Sequence, residues 1–173
     1  MMNHQINIGF ETEVADENSV RELIRTCAER VLASEQVDFD AEIDVTVVDA
    51  DAIRAISSIG LAHLGDAVYE LLVRTWLCAG GKATGKGLHR AAVALVCAPR
   101  QAELAEKILP LLTQEEQDVF RRGRNANVHS IPAHASRAQY QQATALEALL
   151  GYLYLQGRRG RVNELFCRMM EGE

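Results

Sequence analysis

From Leu61 to the end of the chain, apolar residues recur at intervals of three and four, the spacing of helices that turn one side to a core. Leu61, Leu64, Val68, Leu71 and Leu72 form one such stripe, and Gly80-Gly81 is a suitable stop for it. Helices are predicted over Leu88 to Cys97 and Arg100 to Leu109, separated at Pro99, because proline breaks the hydrogen-bond ladder. Thr113-x-x-Glu116 is a capping-box pattern that opens a short helix running towards Arg122. A loop with Pro132 leads to a long helix from about Ser136 to Gln156, and a short one covers Val162 to Met170. The first third has a different period. QINIGF (5–10) and EIDVTVV (42–48) alternate like short strands, and Ser19-x-x-Glu22 caps a helix through VRELIRTCAERVLAS between them. The expected fold is mainly α, with a small β-α-β extension over 1–56 and a helical domain over 57–173.

Two acids interrupt the helical pattern, Asp66 in LAHLGDAVYELL and Glu147 in ATALEALLGYLYL. Each takes a place where a buried stripe would carry Leu or Ala. A carboxylate resists such a place unless its charge is compensated, and a divalent cation is the obvious compensation. The blander alternatives are an Asp66 that caps a neighbouring helix end and a Glu147 that is simply solvated. Full solvation fits poorly, because Ala143, Leu146, Leu149, Leu150, Leu153 and Tyr154 surround Glu147 in sequence. Glu70, one turn after Asp66, is either a further acid beside the site or the partner of Arg74, and the pairing is preferred. His63, His89, His129 and His134 show no HxxxH or HxH spacing. Zinc is therefore not expected, and Mg²⁺ or Mn²⁺ is.

A net charge of −6 argues against a nucleic-acid partner only until its distribution is read. Residues 1–56 hold 13 acidic against 4 basic side chains, whereas 57–173 hold 11 against 14. Within the second part, RRGRNA sets Arg121, Arg122, Arg124 and Asn125 on a tight segment, and Gly123 permits close approach. Arginines at a helix end suit the dipole, yet this density fits phosphate contacts better. Lys82, Lys86, His89 and Arg90 would extend the patch. Few aromatics are present for stacking, which favours duplex backbone over single-stranded bases. Cys27, Cys78, Cys97 and Cys167 form no CxxC pair and read as reduced core thiols of a cytoplasmic protein. No membrane span or signal pattern is expected.

The order LGDAVYE, RRGRNA, EALLGYLYL resembles the Mini-ribonuclease III family over about Ile59 to Met170. That resemblance implies a ribonuclease III-like helical nuclease domain. It also implies a homodimer that cuts double-stranded RNA with Mg²⁺, for which Mn²⁺ substitutes, in maturing the large-subunit ribosomal RNA precursor. A ribosomal protein or pre-ribosome is a further candidate partner. By position, Asp66 matches the family's catalytic Asp and Glu147 its catalytic Glu, both as metal ligands. Longer ribonuclease III enzymes carry additional acids at the places of Ala62 and Thr144, so the reduced set here is similar to the Mini group. The family tends to have Lys-Ser after RRGRNA and later Pro-Lys. Asn127-Val128 and Pro132-Ala133 stand there instead, which puts RNA affinity in doubt rather than chemistry. The stretch from INIGFETEV to VTVVDADAIRAI resembles the start of YbeY-type endoribonucleases but lacks that family's three-histidine zinc motif. It is expected to be an inactive fragment. The competing expectation for the whole chain is a non-catalytic module that keeps the fold and binds duplex RNA or the ribosome.

Overall fold

The computed structural model describes residues 50–80, 84–127 and 135–172. The strands and helix expected within 1–49, Cys27, Lys82, His129, His134 and the Pro132 loop lie outside them. A compact helical unit extends over Val47–Glu173. Its elements are α1 (Ala50–Ala55), α2 (Ser58–Ala79), α3 (Gly85–Val96), α4 (Ala98–Ile108), a 3₁₀ turn (Leu109–Leu111), α5 (Gln114–Arg124), α6 (Arg137–Leu155) and α7 (Arg159–Met170). The sequence pattern groups α1 with the extension, but Ile53 on it is buried in the core of the helical unit. One buried apolar residue in six gives no period to read, so α1 has no signature of its own.

The ends of these helices follow from local chemistry. Ser57 caps α2, its hydroxyl accepting from the Gly60 N–H at 3.0 Å, and Thr84 does the same for α3 through the Gly87 N–H at 3.1 Å. Pro99 stands in the first turn of α4, where its missing N–H costs nothing, and Cys97 is extended between α3 and α4. Thr113 and Glu116 form the expected capping box on α5, and Ser136 with Gln139 forms a second on α6.

α6 is the centre of the unit, packed against α2, α4, α5 and α7. Every residue from Ala143 to Leu153 is buried except Glu147. A helix covered on nearly all sides is apolar nearly all round, which is why its pattern lacks a polar face. On α2 the core arc runs through Leu61, Val68, Tyr69 and Val73. Leu71, expected in the stripe, is instead 63% exposed. The arc is turned towards Tyr69 and Val73 because α2 packs on α3 as well as α6, and Leu71 falls outside it. The Tyr69 hydroxyl donates to the Leu95 carbonyl of α3 at 3.1 Å, and its ring meets Phe166 of α7 edge-on at 6.2 Å.

A buried ion network ties α5 to α7. Glu116, 0% exposed, accepts from Arg158 Nη2 at 3.0 Å and from Arg161 Nε and Nη2 at 3.0 and 2.8 Å. Burial opposes the charged form of Glu116. The bonds from Arg161 and the Thr113 N–H outweigh it and hold the carboxyl below its usual range. The expectation of core thiols is corrected: Cys78, Cys97 and Cys167 are free and exposed. They occupy outward positions on or beside their helices. No helix among the described residues is long and apolar enough to cross a membrane.

Candidate active site

Two glycines bring the acids together. A Cβ on Gly65 of α2 would lie 1.7 Å from the Glu147 carbonyl oxygen, and one on Gly151 of α6 would lie 2.1 Å from the Leu61 carbonyl oxygen. At this crossing the two backbones are in direct contact, an approach that only glycine allows. Asp66 follows Gly65 directly, and Glu147 supplies the carbonyl that Gly65 touches. Gly65 therefore admits a helix.

The electrostatics show the strain of the arrangement. Glu147 is pushed up to about 8, first by burial and then by the charge of Asp66, against a hydrogen bond from Gln101. Asp66 is also raised, by burial first and by Glu70 next, with His63 acting the other way. Tyr140, on α6, lies beside both acids: its phenol is raised by burial, then by Glu147 and Asp66. Two carboxyl groups that are costly as anions and share a field are hard oxygen donors whose charge a cation could compensate. They suit Mg²⁺ or Mn²⁺, which accept few protein oxygens and retain several waters. No group of three or more His, Cys, Asp or Glu is placed to hold a metal among the described residues.

Glu70 pairs with Arg74, whose Nε donates to Glu70 Oε1 at 3.0 Å and whose Nη2 meets the same oxygen. Its charge nevertheless reaches Asp66, so it stands beside the site while bound to another partner. Gly123 is buried, and a Cβ there would lie 2.8 Å from Ala148 Cβ and 2.9 Å from Ala145 Cα. Its close approach is thus to α6 and not to a phosphate, a correction to the sequence reading. That contact sets the end of α5 against the turn of α6 that carries Glu147. Arg121, Arg122 and Arg124 are exposed there, in the last turn of α5. Arg121 bonds Asp118 at 2.8 Å, and the charge of Arg122 reaches Tyr152. Asn125 is the C-cap, its N–H donating to the Arg121 carbonyl at 3.1 Å.

Gln101 and Tyr140 escape the sequence reading. Gln101 could have been found by the reasoning applied to the acids, since it shares the buried face of α4 with Leu104, Ala105 and Ile108. Tyr140 had no such signal, being one aromatic among the partly buried residues at the start of α6.

A helical body with an acid from each of two crossing helices defines a class. Residues 60–158 match the ribonuclease III domain, and the chain is an endoribonuclease of that type. Similar proteins narrow it further. A Mini-ribonuclease 3 of Symbiobacterium thermophilum is 48% identical over 105 residues, 61% of this chain and 81% of that one. Another from Synechocystis is 45% identical over 119 residues, 69% and 81% of the two chains, and one from Enterococcus faecalis is 37% identical over 124 residues, 69% and 94%. A crystal structure of a Fusobacterium nucleatum protein superposes with a TM-score of 0.64 at 30% identity, covering 69% of this chain and 96% of that one. The chain belongs to the Mini-ribonuclease III family.

Proposed function

We propose that the chain hydrolyses double-stranded RNA at the Asp66–Glu147 pair with Mg²⁺ as cofactor, in maturation of the large-subunit ribosomal RNA precursor. The observation that carries this reading is the glycine crossing, which brings the helices of Asp66 and Glu147 into backbone contact and the two acids within electrostatic reach, where burial disfavours both anions. When bound, Mg²⁺ lowers the pKa of a coordinated water and neutralises charge on the phosphate. Asp66 and Glu147 hold the cation, and hydrolysis leaves a 5′-phosphate and a 3′-hydroxyl. Glu70, held in place by Arg74, adds negative charge beside Asp66, which disfavours the bare Asp66 anion and favours a bound cation. Arg121, Arg122, Arg124 and Asn125 orient the backbone from the neighbouring end of α5. Large apolar side chains exposed on α2, Leu71 at 63% and Trp76 at 39%, are surfaces a second copy would cover in a homodimer. The exposed free thiols suit a reducing cytoplasm.

Cleavage of a duplex RNA in Mg²⁺ tests the reading. Asp66→Asn and Glu147→Gln should each lower kcat about 10²–10³-fold, the scale of losing a group that stabilises transition-state charge. Duplex binding should survive in both variants. Unchanged cleavage in both would remove the acids from the chemistry, and binding without metal-dependent cleavage in the wild type would leave only a binding module. Arg122→Ala and Arg124→Ala should act differently. Each should raise KM with little change in kcat and reduce the log–log salt slope of binding by roughly 0.7–0.9. A loss confined to kcat would contradict their assignment to the RNA backbone.

A further inference from the structure

Gln101 is a polar side chain at the heart of an apolar contact. It is 2% exposed, on the face of α4 that packs against α6. Its Nε2 donates to the Val96 carbonyl at 3.1 Å, and its amide lies close enough to Glu147 to favour that group's charged form. A primary amide has two N–H groups: one is used by Val96, and the other is available to the Glu147 carboxylate. The amide is thereby fixed in orientation, with the nitrogen towards Val96 and the carboxylate. Its other half is left over: Gln101 Oε1 is buried and accepts no hydrogen bond. An orphaned acceptor of this kind is costly, and buried polar atoms usually have a partner. When the neighbouring acid pair carries a cation, its coordinated waters would supply donors near that acceptor.

We propose that Gln101 is a positioning residue of the active site, its amide N–H holding the Glu147 carboxylate in place and its Oε1 accepting from a water of the cation's hydration shell. The proposal rests on the reading of Asp66 and Glu147 as the cation site. It explains why a glutamine stands where the α4 stripe calls for Leu or Met: both ends of the amide are used only when the site is loaded. Groups that orient the ligands of a metal site are worth about 10–100-fold in affinity or activity.

Mn²⁺ binding, followed by electron paramagnetic resonance and by calorimetry on the full chain, separates the possibilities. Gln101→Met keeps the side-chain length and removes both functions. Its Kd for Mn²⁺ should rise about 10–100-fold while its KM for duplex RNA stays within about twofold of wild type. In a double-mutant cycle, adding Gln101→Met to Glu147→Gln should cost much less than it does alone, because the residue acts through Glu147. A purely structural role would give additive losses. Should Gln101→Met fail to fold, the side-chain amide resonances of Gln101 in the wild-type protein supply the answer: they should shift as Mg²⁺ is titrated and stay unmoved in Asp66→Asn. Resonances that do not move at Mg²⁺ saturation, or a folded Gln101→Met with wild-type Mn²⁺ affinity, would overturn the proposal. If Asp66→Asn also retains full Mn²⁺ affinity, the cation site itself is wrong. If Asp66→Asn loses it and Gln101→Met does not, only the role of Gln101 is.

Discussion

Replacing Gly151 by Ala should destabilise the protein by roughly 3 kcal/mol or more, above the usual cost of overpacking a core. The added methyl would meet the Leu61 carbonyl at 2.1 Å, and the neighbour that must give way is backbone rather than a flexible side chain. Gly65→Ala should behave likewise, since its methyl would fall 1.7 Å from the Glu147 carbonyl. Either change forces α2 and α6 apart and moves Asp66 away from Glu147. Whatever protein still folds should therefore lose activity out of proportion to its loss of stability. Gly160→Ala is the control. Nothing lies within 4 Å of a Cβ there, the residue is in the first turn of α7, and alanine should gain about 0.4–1 kcal/mol. Thermal unfolding followed by circular dichroism distinguishes the three. A Gly151→Ala protein that melts with the wild type would show that the helices do not cross in backbone contact.

Glu147→Gln should do the reverse to stability. Without metal, the native state holds a proton on Glu147 up to about pH 8, whereas an ordinary glutamic acid, as in the unfolded chain, gives it up near 4.5. A carboxyl whose folded pKa is raised stabilises the fold fully below the unfolded value. That stabilisation disappears as pH rises through the folded value. The wild-type, metal-free protein should thus lose stability between about 4.5 and about 8. Gln does not titrate, so the variant should be more stable than wild type by roughly 2–4 kcal/mol at pH 8 and by little at pH 4.5. Saturating Mg²⁺ should close the gap by stabilising the wild type and not the variant, because only the native wild type binds it. Melting curves across this range, with and without Mg²⁺, check both parts. A variant no more stable than the wild type at pH 8 would mean that Glu147 is ionised at no cost. Such a site would store no electrostatic strain for a cation to relieve.

What could be read from sequence divides along physical lines. Capping boxes, the Pro99 break and the helix period act through a few neighbouring residues, and they place α2 to α7 close to where they are. The acids were legible too, because a carboxylate among Leu and Ala is anomalous wherever it points. Direction was harder. Gly123 announced close approach, but only the fold reveals that Gly65, Gly123 and Gly151 all meet helix backbone or Cα and Cβ atoms. Leu71 looked like core because it is apolar at a helical interval, whereas the arc that α2 buries is decided by α3 and α6 together. Gln101 was passed over because glutamine is an ordinary helix former. Its meaning comes from being buried against Glu147, a contact between residues far apart in the chain.

The central claim is that Asp66 and Glu147 together hold one divalent cation, and anomalous diffraction from Mn²⁺-loaded crystals tests it most directly. A single strong peak should lie between the two side chains, bound by one carboxylate oxygen from each and completed by waters, at distances near the roughly 2.0–2.1 Å typical of Mg²⁺ sites. Saturated crystals with no peak there, or with the ion held by only one of the two acids, would contradict it.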